Sequence, residues 1–290
     1  MTAKHSKKRS LRVDADREVF RTVIDELFEH FVSTSSITVG HAKAHDLLVL
    51  HGLVAHVMYN VEAARFLLDS GRTAAAEPLA RVAFEHSVVA LWAHVHPDGT
   101  DALRSKARLD YKRLIREAAK AVELPDDVVD AYQRIPEPGR IADEVKRFEE
   151  TCKFFAVPSF YLIYRQLSES VHPGRSTLDR YFEGQVEDIS SLKLRNSPRI
   201  DSDEHVLYPL ALACVLASFV YEDLRKTKPY KPKIRAAAAD IGTDPWLIVE
   251  NARKRQAATQ AGQAPSEGTA PWRGRPNPKR KSEPTSTRSR

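Results

Sequence analysis

The stretch "VLYPLALACVLASFVY", residues 206–221, runs for sixteen residues without a charge. A membrane span needs roughly 20 apolar residues, so a stretch of this length predicts a helix buried inside a protein. Asp201, Ser202, Asp203 and Glu204 stand just before it. They suit a helix N-terminus, by capping free N–H groups and by opposing the positive end of the dipole. A helix that is apolar all round has to be covered by partly apolar neighbours. The chain is rich in Ala, Leu, Arg and Glu, and its 290 residues hold only 11 Gly and 17 Pro. That is the composition of helices. The predicted fold class is all-α, a multi-helix bundle with disordered basic N- and C-terminal segments.

Helical periodicity supplies the covering elements. Val19, Val23, Leu27 and Phe31 mark a first amphipathic helix. A second, long one is read from Ser35 to Leu68 and is stopped by Ser70 and Gly71. Thr73 can cap a third, in which Pro78 either bends the helix or marks its true start. A fourth covers about 101–124, and Pro-rich turns bracket a short fifth around Val128 to Tyr132. "IADEVKRFEETCKFF" reads as a sixth, and "PSFYLIYRQLSESV" as a seventh begun by Pro158 and ended by "HPGR". Residues 173–200 show no sustained period. The apolar eighth runs from about Asp203 to Lys226, and "TDPWLIVENARKRQAA" makes a last helix with Pro245 in its first turn. This organises the chain as a basic arm at 1–12, one helical domain at 13–258 and a basic tail at 259–290.

Charge is divided unevenly. Residues 1–12 carry a net +5 and residues 253–290 a net +8, which leaves −7 for the rest of a chain whose total is +6. Basic ends of low hydrophobicity reach for RNA or another polyanion, or simply keep a protein in solution. Cys152 and Cys214 are too few and too far apart for a disulfide framework, which points to a reducing cytoplasm. The first thirty residues lack the apolar stretch of a secretory signal, and no membrane association is expected.

Two helices carry charge where packing surface is expected. With Tyr164 as the origin and about 100° per residue, Ser168 falls at about 40°, Tyr161 at about 60°, His172 at about 80° and Arg165 at about 100°. This polar stripe borders the apolar side formed by Ile163, Leu167 and Val171. Such groups need partners, because a polar atom buried without one costs about 1 to 3 kcal/mol. His172 precedes Pro173, which makes it the expected last residue of its helix. The helix dipole there favours imidazolium, a form suited to holding a phosphate or donating a proton. On the third helix Glu77, Arg81, Glu85, Val88 and Trp92 share a narrow arc. Arg81 and Glu85, one turn apart, can pair with each other. Glu85 can also meet Tyr164, Arg165 or Ser168 from the seventh helix.

The pairing of "ARVAFEHSVVALW" with "YRQLSESVHPG" resembles an uncharacterised bacterial helical family, domain-of-unknown-function family 5677, over roughly residues 45–225. Its members carry an Arg and a Glu one turn apart on an early helix, matched by Arg81 and Glu85. They carry a Tyr, a Ser and a His at four-residue steps on a later one, matched by Tyr164, Ser168 and His172. "RQLSESVH" also resembles the HEPN superfamily of higher eukaryote and prokaryote nucleotide-binding domains, with six residues between Arg165 and His172. Gln166 departs from the Asn that often follows the Arg. This second resemblance implies a metal-independent endoribonuclease in a defence or toxin setting, with no cofactor. His172 would be the acid or base, Arg165 the phosphate ligand, Ser168 and Tyr164 orienting groups and Glu85 a fixing group beside Arg81, in a cleft shared by a homodimer.

The residues leave two other readings open. The protein can be a binding module that takes nucleic acid or another protein without chemistry. The stripe can equally be a structural network that fixes helix register. Within one straight helix, Arg165 and His172 are about 10.5 Å apart along the axis, too far for both to grip one phosphate readily. His41 and His45 have the spacing of a weak metal pair beside Asp46. No HExxH, GxSxG or phosphate-binding Gly loop occurs.

Overall fold

The computed structural model describes residues 2–34, 36–40, 44–136, 143–183, 191–200 and 202–261. Its elements are α1 (Thr2–Ser33), α2 (Ala44–Asp69), α3 (Thr73–Val95), α4 (Gly99–Ala121), α5 (Asp126–Arg134), α6 (Asp143–Lys146), α7 (Phe148–Phe155), α8 (Pro158–Glu169), α9 (Arg175–Asp179), β1 (Phe182–Glu183), β2 (Lys193–Leu194), α10 (Glu204–Leu224), α11 (Lys231–Asp240) and α12 (Pro245–Gln260). The fold is all-α, as expected.

α10 is the centre. It packs against α1, α2, α3, α11 and α12. It has 21 residues, longer than the apolar run alone, but 83% of its most apolar 18-residue window is buried within the bundle. Its apolarity is therefore used as core. Asp203 stands at its N-cap position, yet the first free N–H, that of Glu204, donates to Ser202 Oγ at 3.1 Å. Asp203 spends its carboxylate on α1 instead, meeting Arg17 at 2.7 Å and Arg21 at 3.6 Å.

α3 is the second inner helix, with Ala76, Ala80, Ala83, Phe84, Val88 and Trp92 buried. The alanines let α2 and α10 approach closely, while Phe84 meets Phe148 and Phe160 edge to face at 6.3 and 5.8 Å. Such pairs add about 0.5 to 1.5 kcal/mol beyond burial. α3 begins at Thr73 and runs through Pro78 without a break.

Several boundaries differ from the sequence reading. α1 takes in residues 2–12 as well as the predicted first helix. α2 starts at Ala44, because Val39 pairs with Arg225 as an isolated antiparallel bridge and Lys226 N–H donates to Thr38 O at 2.8 Å. The predicted sixth helix is two, α6 and α7, separated where Arg147 adopts an extended backbone. Thr151 Oγ1 closes that corner on Glu144 O at 2.7 Å. The 173–200 connection holds α9 and a two-stranded antiparallel pair, Phe182 opposite Leu194. α11 was not predicted, since the alanines of "IRAAAAD" show no apolar period. It is held by Ile234, Ala237 and Ala238, all buried. α12 begins as expected, with the Asp244 carboxylate accepting from Trp246 N and Leu247 N at 3.0 and 3.1 Å. Residues 262–290, most of the predicted basic tail, lie outside the described residues.

Candidate functional site

α8 lies against α3 and α7, with Phe160, Ile163 and Leu167 facing inward. The register that buries these three turns Tyr164 and Ser168 toward Arg81 of α3. Arg81 Nε donates to Ser168 Oγ at 3.0 Å, and an Arg81 terminal nitrogen donates to the Tyr164 hydroxyl at 2.7 Å. The guanidinium also lies 4.8 Å from the centre of the Tyr164 ring. Ser168 Oγ, in turn, donates to Tyr164 O at 2.7 Å. Its single proton is thus committed to a carbonyl one turn back and its lone pair to Arg81.

Glu85 does not reach α8. Its ion pair is with Arg81 on its own helix, at 3.5 Å, so the predicted contact between helices is made by Arg81 instead. The Glu85 carboxylate faces a separate cavity of about 550 Å³, lined also by Leu53, His86, Lys106, Phe148 and Thr151. Burial there raises the Glu85 pKa, against the pull of Arg81 and Lys106. Burial also pushes the neighbouring His86 imidazole down to about 4, helped by His56.

Arg165 and His172 are exposed. α8 ends at Glu169, earlier than predicted. His172 therefore stands in the turn beyond the helix, its N–H bonded to Ser168 O at 3.3 Å and its carbonyl accepting from Thr177 Oγ1 at 3.0 Å. The turn breaks the straight-helix spacing and puts both side chains on one groove of about 750 Å³, with Tyr161, Tyr164, Glu169 and Asp179. Among the described residues, neither the Arg165 guanidinium nor the His172 imidazole has a hydrogen bond or ion pair. The six predicted residues thus separate into an internal clasp (Arg81, Tyr164, Ser168), a pair without side-chain partners among the described residues (Arg165, His172) and Glu85, shared between the clasp and the other cavity.

Sequence reasoning did not foresee the partners of Glu77, which tie α3 to α10 and to the end of α9. Glu77 is 1% exposed. It accepts from Arg180 at 2.7 Å and pairs with His205 of α10 at 2.8 Å. Burial alone would raise its pKa, but hydrogen bonds from His205, Arg180 and Ser170 win and lower it. Glu77 was visible on the Arg81 arc. Arg180 and His205 carried no periodic signal, because one lies in an irregular connection and the other at the start of an apolar helix.

Among the described residues no group of three or more His, Cys, Asp or Glu is placed to hold a metal ion. His41 lies outside the described residues, and the His45 ring rests against Arg104 at 2.5 to 2.7 Å.

Residues 47–189 match the model of a family of unknown function, DUF5677. The match takes in Arg81, Glu85 and the whole of α8 with its following turn. No curated protein and no solved structure matches the chain.

Proposed function

Residues 47–189 belong to the DUF5677 family of unknown function, and since that membership assigns no activity, we propose one from the α8 groove: it binds a phosphodiester of RNA and cleaves it without a metal. One observation carries this reading. Arg165 and His172 line the same groove with neither side chain committed to a partner among the described residues. A guanidinium matches two phosphate oxygens at once, and an imidazole can move a proton near neutral pH. In this reaction His172 takes the proton of a 2′-hydroxyl, and the 2′-oxygen attacks the adjacent phosphorus. The bond to the 5′-oxygen breaks, and that oxygen leaves with a proton from water, giving a 2′,3′-cyclic phosphate and a 5′-hydroxyl, while His172 returns its acquired proton to the hydroxide left behind. Arg165 stabilises the charge on the phosphorane. The Tyr164 hydroxyl, which accepts from Arg81, keeps its own proton to donate to a phosphate oxygen.

Glu169 and Asp179 line the groove as well. It therefore suits a single phosphate better than a long polyanion, and the basic segments at 1–12 and 253–290 would supply the sequence-independent contacts. Cys152 and Cys214 are both buried and unpaired, which fits the reducing, cytoplasmic setting expected of a chain without disulfides. A binding module without chemistry is the second reading, and the two carboxylates in the groove favour it.

The test incubates wild type, His172→Ala and Arg165→Ala with a structured RNA in EDTA, with thermal melts in parallel. Wild type is expected to cleave. Loss of a general acid or base costs about 100-fold or more, and loss of a phosphate-stabilising donor about 100-fold. Both variants are expected to melt within about 2 °C of wild type, since exposed unpaired side chains contribute little to stability. RNA that is bound but left intact by all three proteins would leave the binding module and overturn the enzyme.

A further inference from the structure

α2 is long and apolar enough by length and composition to cross a membrane, yet only 39% of its most apolar 18-residue window is buried in the bundle, against 83% for α10. Its core side is accounted for by Leu50, Val54, Val57, Val61, Ala64 and Leu68, all buried. The opposite side is not. Leu48 is 76% exposed, Tyr59 68% and Phe66 72%. With Leu48 as the origin and about 100° per residue, Tyr59 falls at about 20° and Phe66 returns to the starting line. Gly52, Ala55 and Glu62 complete the row within about 40° of the same line.

The spacing 48, 52, 55, 59, 62, 66 alternates steps of four and three, which is the seam of a coiled coil. Gly52 is the second unusual feature. A glycine inside a helix costs about 0.5 to 1 kcal/mol relative to alanine. Here a Cβ on Gly52 would meet nothing within 4 Å; the residue borders the cavity beside Glu85, and its bare backbone also leaves room for a second helix to approach closely.

We propose that this face of α2 pairs with α2 of a second copy, antiparallel about a two-fold axis near residue 57. The row is self-complementary about that point. Leu48 meets the second copy's Phe66, Gly52 meets Glu62, and Ala55 meets Tyr59, so each large side chain stands opposite a smaller one. A two-fold interface requires such reciprocity. Glu62 also comes beside His51 of the other copy, a favourable pairing when the imidazole is protonated. The surface lies across α2 from the core and does not depend on the reading of the α8 groove.

Sedimentation of the full chain at micromolar concentration, with circular dichroism to follow folding, tests this. Wild type is expected to be a dimer. Tyr59→Asp and Phe66→Asp each place a charge in the seam and are expected to give helical monomers, with the dissociation constant raised 100-fold or more. Gly52→Leu, whose Cβ meets nothing within 4 Å in the monomer, is expected to weaken the dimer without unfolding it. A wild type that stays monomeric throughout the micromolar range overturns the pairing. So does a dimer that survives all three substitutions, which would place the interface elsewhere.

Discussion

Replacing Arg180 with alanine will destabilise the protein more than removing any other charged side chain of the α8 region. Glu77 is 1% exposed, and among the described residues Arg180 and His205 are the side chains paired with its carboxylate. Taking away one partner of a buried pair strands the other, at a cost of about 3 to 5 kcal/mol. At about 2 to 4 °C per kcal/mol for a domain of this size, the melting temperature should fall by roughly 6 to 20 °C at pH 7. The double substitution Glu77→Gln with Arg180→Ala leaves no buried charge and should recover part of that loss. Acid provides an independent check. The folded-state pKa of Glu77 lies below its ordinary 4.5, so its contribution is fully present above pH 4.5 and is lost as the pH falls through the lowered value. The gap between wild type and Arg180→Ala should therefore narrow below pH 4.5. A gap that stays constant down to pH 3 would mean the loss comes from packing instead of charge.

Arg81→Ala should cost about 2 to 3 kcal/mol, the second large effect. It removes the donor to Ser168 Oγ and to the Tyr164 hydroxyl, both part-buried, and it leaves Glu85 without its nearest cation. Each acceptor stranded in partial burial costs about 1 kcal/mol or more. Arg81→Lys keeps a charge near Glu85 but cannot reach both hydroxyls, because an ammonium lacks the planar fork. It should recover less than half of the loss in urea unfolding. Full recovery by lysine would show that the Glu85 pair alone matters and that the clasp between α3 and α8 contributes nothing.

Much of this arrangement was legible in the sequence. The uncharged run at 206–221 required a buried helix, and burial of most of α10 follows from it. The stripe on α8 was equally plain, because Tyr164 and Ser168 recur at helical spacing beside Ile163 and Leu167. What periodicity could not say was which member meets which. Arg81 and Glu85 lie on the same arc, and only the packing of α3 on α8 shows that the guanidinium crosses while the carboxylate stays behind. Nor could a straight-helix projection place His172. The end of α8 at Glu169 turns the chain and swings the imidazole onto the groove beside Arg165. The Glu77, Arg180 and His205 cluster depends on contacts more than 100 residues apart in sequence, and no local pattern encodes that.

In the proposed reaction Arg165 and His172 act on one phosphate. The most direct measurement titrates a 2′-O-methyl oligonucleotide, which cannot be cleaved through its 2′-oxygen, into the protein labelled at histidine, following the imidazole resonances by NMR. A saturable shift confined to His172, lost in Arg165→Ala and leaving His56 and His86 unmoved, is the predicted result. A His172 resonance that stays still while the oligonucleotide binds elsewhere would contradict the account.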